Sequence, residues 1–148
     1  MKKITTILTA VVMLFATSAF AADGDNVTST VKKAFKKDFI AASNVIWEKS
    51  SDFYFADFLV NGKNASAAYN EDGELVGTSQ VITADQLPLT VARAVSQKFG
   101  AYQMNSFVTE LTYEGKTSYY INVEGEKQTL KLKCDMSGDV SIENRSAK

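Results

Sequence analysis

One repeat constrains the fold of this chain more than any other feature. Val27, Val31, Phe35 and Phe39 recur at every fourth residue, as on one face of a helix, and Leu87, Val91, Val95 and Phe99 do the same. Every member of the second set lies 60 residues beyond its counterpart. Trp47 and Phe107 keep that offset, each eight residues past the last phenylalanine of its helix. Five matched positions predict two copies of one unit.

After each helix the apolar period switches from four to two. Tyr54, Ala56, Phe58 and Val60 alternate with Phe55, Asp57 and Leu59, and Asn61-Gly62 then supplies a hairpin turn. Ala65, Ala67 and Tyr69 lead into a turn at 70–73, "NEDG", before Leu75 and Val76 begin another strand. In the second half Tyr119, Ile121 and Val123 precede Glu124-Gly125, Leu130, Leu132 and Cys134 follow, and "DMSG" leads to Val140 and Ile142. Pro88 marks the start of the second helix, where its missing N–H costs least, and Thr83 or Asp85 is placed to cap it. Residues 77–84, "GTSQVITA", read as the join between the halves. The predicted fold is α+β: a tandem repeat of a helix followed by four antiparallel strands, with both helices packed on one face of the sheet and the other face at least partly open. The repeats run from about 27 to 80 and from about 84 to 144.

The first residues read as a secretory signal. Lys2 and Lys3 precede the apolar run 4–16, and Ala19-Phe20-Ala21 gives a small-x-small cleavage pattern, placing the cut after Ala21. The apolar run is shorter than the roughly 20 residues a spanning helix needs. The 148 residues less the first 21 leave 127, enough for a single domain at 22–148. That mature chain holds 14 basic and 17 acidic residues, a net charge of −3. Such a balance argues against nucleic acid and against an anionic membrane surface, both of which call for a basic patch. The expected location is the periplasm of a Gram-negative cell, or otherwise the extracellular space, with no stable membrane insertion once the signal is removed.

Chemistry is sparse. The sequence has no histidine, which removes Ser-His and Cys-His nucleophile pairs and nearly all zinc sites. Cys134 is the single cysteine, so no intramolecular disulfide forms, and its alternation with Lys131 and Lys133 puts the thiol on a buried strand face. The 70–73 turn has some likeness to a calcium loop. With Gly73 aligned to the glycine of such a loop, however, Ala68 and Ser79 fall where charged ligands belong. Glu71, Asp72 and Glu74 cluster on a tip with nothing to raise a carboxyl pKa. The lysines 32, 33, 36 and 37 read as the solvated side of the first helix, with an anion- or surface-binding role as the alternative. No catalytic, cofactor-binding or metal residue is therefore assigned. The candidate interaction surface is Phe53, Phe55, Leu59 and Tyr120, which alternation points away from the helices as an apolar strip, left bare unless a helix end, a loop or sheet curvature covers it.

The helix ending at Phe39, "VIW" at 45–47, "FADFLVNGKNASAAYNEDGEL", "LPLTVARAV" and the strand set ending in "DMSGDV" together resemble the PepSY-like, β-lactamase-inhibitor-protein-like family of small exported bacterial proteins. The resemblance spans the whole mature chain and rests on aromatic positions and hairpin glycines. It implies tandem helix-plus-four-strand repeats, export and no established enzymatic activity. True inhibitor proteins of this kind carry disulfides, which this chain cannot form. The expected function is a non-enzymatic protein- or peptide-binding module, inhibitor-like in form, without cofactor, and with self-association a further use of the same strip. The alternatives from other classes are a ligand-binding or hydrolytic domain using the acidic turns or the groove between repeats, and a calcium-responsive structural protein.

Overall fold

The two four-residue patterns form helices α1, Ser29–Asp38, and α2, Leu89–Phe99, in a computed structural model that describes residues 26–148. The signal sequence and its cleavage point lie outside the described residues. Each helix begins two residues later than its first patterned residue. The Thr28 hydroxyl accepts the Val31 N–H at 3.3 Å, which caps α1 and leaves Val27 before the helix yet inside the core. Pro88 stands immediately before α2. Thr83 caps a different element, a short 3-10 turn at Ala84–Gln86, where its backbone N–H donates to Gln86 Oε1 at 3.2 Å.

Each helix is followed by a four-strand meander. The first comprises β1 (Ala42–Ser50), β2 (Phe53–Val60), β3 (Lys63–Asn70) and β4 (Leu75–Thr83). In the second, a two-residue strand β5 (Gln103–Met104) precedes β6 (Phe107–Tyr113), β7 (Lys116–Glu124), β8 (Gln128–Asp135) and β9 (Val140–Ala147). All nine belong to one antiparallel sheet in the order β1-β2-β3-β4-β6-β7-β8-β9, with β5 beside β7. The segment read as a join is thus most of β4. Seven register pairs, from Gly77↔Tyr113 to Thr83↔Phe107, bond it to β6 and fuse the two repeats through main-chain hydrogen bonds. The strand begun at Leu75 and Val76 runs on through that segment, with Gly77 and Ser79 buried on the helix-free face and Ile82 entering α2's core.

The helices cover one face and bury two matched cores. Val27, Val31 and Phe35 pack on Trp47, Tyr54, Ala56, Phe58, Ala67 and Tyr69. Leu87, Val91 and Val95 pack on Val108, Tyr119, Ile121, Val123, Leu130, Leu132 and Cys134. The alternation read from sequence is the alternation observed. One equivalence is corrected. Glu48 pairs with Phe55 and Thr109 with Tyr120, so Trp47 corresponds to Val108 and not to Phe107. Val108 stands nine residues past Phe99 where Trp47 stands eight past Phe39, and that one-residue difference turns Phe107 to the opposite face.

Candidate interaction surface

The helix-free face is built from the residues that alternate with the two cores. Register places Ile46, Asp57, Ser66, Ser79, Leu111, Ser118 and Asp135 in one row across β1 to β8. The adjacent row runs Glu48, Phe55, Ala68, Gly77, Tyr113 and Lys116. Small residues on β3 and β4 leave a shallow centre, and the large side chains on either flank lean across it. Phe55, Ala68, Leu111 and Tyr120 form a third buried cluster there, with Phe53 and Val76 against its edge. A Cβ on Gly77 would meet the Thr112 carbonyl oxygen at 3.1 Å, so glycine keeps this floor low. Ser66 spends its hydroxyl on Asp57 Oδ1, which lets both sit in the furrow.

The strip expected from sequence is therefore not bare. Phe55 is only 7% exposed and Tyr120 only 6%, while Phe53 and Leu59 are half-buried. Phe53, Phe55 and Tyr120 are brought together in one cluster, and Leu59 stands apart from it. The reason is cross-strand packing over small neighbours, which alternation alone does not reveal. Lys131 and Lys133 hold their ammonium groups 5.6 and 6.0 Å from the Tyr120 ring centre. Burial, and then the charge of Glu143, push the Tyr120 phenol up to about 12.

The exposed apolar surface lies elsewhere on the same face. Met104 on β5 pairs with Val123 and Thr109 on β6 with Tyr120, so a five-residue advance from β5 to β6 matches a three-residue advance on β7. The two extra residues make a bulge. Beside it opens a groove of about 540 Å³ lined by Val81, Met104, Phe107, Thr109, Asn122 and Glu124, among others. Phe107 is 65% exposed and Val81 is 41% exposed. Ile46, which occupies the position of Phe107 in the first repeat, is also exposed. Sequence reasoning missed Val81 because its segment read as a connector, and missed Phe107 because it was matched to Trp47. Both exposures depend on the pairing of strands, which the pattern of a single strand does not record.

The fold is shared with solved structures of other proteins. The chain shares the fold of the BLIP-like proteins. A BLIP-like protein from Bacteroides fragilis matches at TM-score 0.65 and 19% identity, over 81% of this chain and 85% of that one. A DUF2874 family protein from Bacteroides ovatus matches at TM-score 0.69 and 22% identity, over 84% and 89%. A Bacteroides eggerthii protein provisionally described as periplasmic matches at TM-score 0.69 and 21% identity, over 82% and 88%. No protein-family model matches the sequence, and no curated protein does.

The acidic turns have a structural explanation that the two halves share. Asn70 Oδ1 accepts the N–H groups of Asp72 and Glu74 at 3.1 and 2.9 Å, and Asp135 Oδ1 accepts those of Ser137 and Asp139 at 2.9 and 3.0 Å. The Ser137 hydroxyl and then the Asp139 N–H hold the Asp135 carboxyl below the usual carboxylate range. A carboxylate so engaged is a poor proton donor. Gly73 and Gly138 adopt φ +78° and +88° and press each turn against the first turns of α1 and α2, near Thr30 and Thr90. Among the described residues, no three metal-binding side chains converge.

Proposed function

We propose that this chain is an exported, non-enzymatic module that binds a protein or peptide through the helix-free sheet face, in an inhibitor-like manner. The observation that carries this reading is the groove edged by exposed Phe107 and Val81 on that face. A large aromatic left in water beside a concave, half-polar groove has the make-up of an interface anchor. The B. fragilis neighbour's BLIP-like description supports the inhibitor-like form, and the B. eggerthii neighbour's periplasmic description supports export. The first residues, read as a signal, add to the second point. The acidic turns support a non-catalytic role, because their central oxygens are already taken up by main-chain N–H groups.

The groove, not the buried strip, is the place to test. A partner captured from the cell envelope is titrated against the purified chain and its Phe107→Asp variant. Loss of an anchor that buries about 1.5–3 kcal/mol of apolar side chain weakens binding at least tenfold. Phe55→Ser is unsuitable as a probe, since it opens the third cluster and reads stability. Unchanged affinity in a folded Phe107→Asp variant would remove this face from the proposal.

A further inference from the structure

Net charge conceals how the charges are distributed. Helices α1 and α2 together carry six basic side chains and one acidic one, net +5. The other described residues hold eight basic and fourteen acidic side chains, net −6. The single helical acid, Asp38, accepts a hydrogen bond from the Tyr69 hydroxyl at 2.9 Å, against the core. On α1, Lys33, Lys36 and Lys37 project into solvent opposite buried Val31 and Phe35, and they form no ion pair with any described residue. Exposed Arg93 and Lys98 extend the same sign over α2.

Complementing the helix dipole accounts for Lys36 and Lys37 in the last turn of α1. It does not account for Lys33 nearer the positive end, where the first turn holds no acid. It also leaves Ile40 unexplained. This residue follows the α1 cap with 89% of its surface in water, beside Lys36 and Lys37 in sequence. A row of lysine stems with an isoleucine at its end matches an interface with charge on one side and hydrocarbon on the other.

We propose that the helical layer rests on an anionic phospholipid bilayer, with Lys33, Lys36 and Lys37 over the headgroups and Ile40 entering the acyl boundary. Ile40 favours a bilayer over a soluble polyanion, which offers no apolar phase. In this pose the helix-free face points away from the membrane. The inference stands independently of the proposed partner.

The experiment is co-sedimentation of the mature chain with vesicles of equal phosphatidylglycerol and phosphatidylcholine, and with phosphatidylcholine alone. Binding is expected only to the anionic vesicles, weakening as salt shortens the screening length. Each lysine near such a surface is worth about a fivefold change, so the Lys33→Gln, Lys36→Gln, Lys37→Gln triple variant lowers the partition coefficient about a hundredfold. A matched triple variant on the sheet face, Lys116→Gln, Lys131→Gln, Lys133→Gln, removes the same charge and is expected to bind nearly as wild type. Ile40→Ser, which removes the hydrocarbon without changing charge, weakens vesicle binding while leaving retention on immobilised heparin almost unchanged. Far-UV circular dichroism confirms that each variant is folded. Equal losses in the two triple variants, no binding to anionic vesicles, or vesicle binding indifferent to Ile40→Ser would each overturn the proposal, the last in favour of a soluble polyanion.

Discussion

Tyr120 shows how one buried polar residue makes the helix-free face sensitive to pH. Its ring fills the third cluster between Leu111 and two lysine side chains, and its phenol is raised from 10.0 to about 12 by burial first and Glu143 second. The sign follows from proton counting. Between pH 10 and about 12 the folded chain keeps a proton that the unfolded chain has released, so stability falls as pH rises through that window. Tyr69 is pushed in the same direction, by burial and then by Asp38, so part of the fall is its own. Urea midpoints measured across this window are expected to decline less steeply for Tyr120→Phe than for wild type. Parallel profiles would assign the whole effect to other groups. Neither the cluster nor this shift could be read from "SYYIN", where Tyr119 and Tyr120 differ only in the face they take.

At the scale of elements, the glycine turns do more than reverse the chain. Gly62 sits at φ +75° with nothing within 4 Å of a Cβ, so replacing it by alanine tests backbone conformation alone. A Cβ on Gly138 would lie 3.3 Å from Ala94 Cβ and 3.4 Å from the Thr90 carbonyl oxygen, both on α2. On Gly73 it would lie 3.1 Å from Thr30 Cγ2 and 3.3 Å from the Thr30 oxygen, on α1. Each substitution carries the left-handed cost of about 1–2 kcal/mol. Gly73→Ala adds the strain of moving a helix off its turn and is expected to exceed Gly62→Ala by about 1 kcal/mol in denaturant unfolding. Gly138→Ala falls between them. Equal losses at all three positions would mean the turns do not brace the helices. The turns and their repeat were legible in sequence as "NEDG" and "DMSG". Their seating on the helix starts was not, because it depends on two segments about 43 to 48 residues apart.

For the whole molecule, the decisive feature is the β4–β6 pairing, which makes two meanders one sheet. Two built-in reporters test whether the repeats also unfold as one. Trp47, the only tryptophan, lies in the first core, and Cys134, the only cysteine, lies fully buried in the second. Urea transitions followed by tryptophan fluorescence and by thiol labelling are expected to coincide, as they must if seven cross-repeat pairs break together. Labelling that precedes the fluorescence change would mean that the second repeat opens alone. Burial already pushes the Cys134 thiol up, so slow labelling in the native state also follows from its suppressed thiolate.

What the sequence by itself determined was local and periodic. Every-fourth spacing marked the two helices, alternation sorted Tyr54, Phe58, Tyr119 and Ile121 onto the core face, and hairpin residues set the strand boundaries. Tertiary structure decided everything that depends on register between strands. It carried the strand begun at Leu75 on through the segment read as a join, moved the match of Trp47 from Phe107 to Val108, and buried Phe55 and Tyr120 while exposing Phe107 and Val81. A one-residue difference in a loop reverses the face a strand residue takes, and nothing in a single strand's pattern records which neighbour will lie beside it.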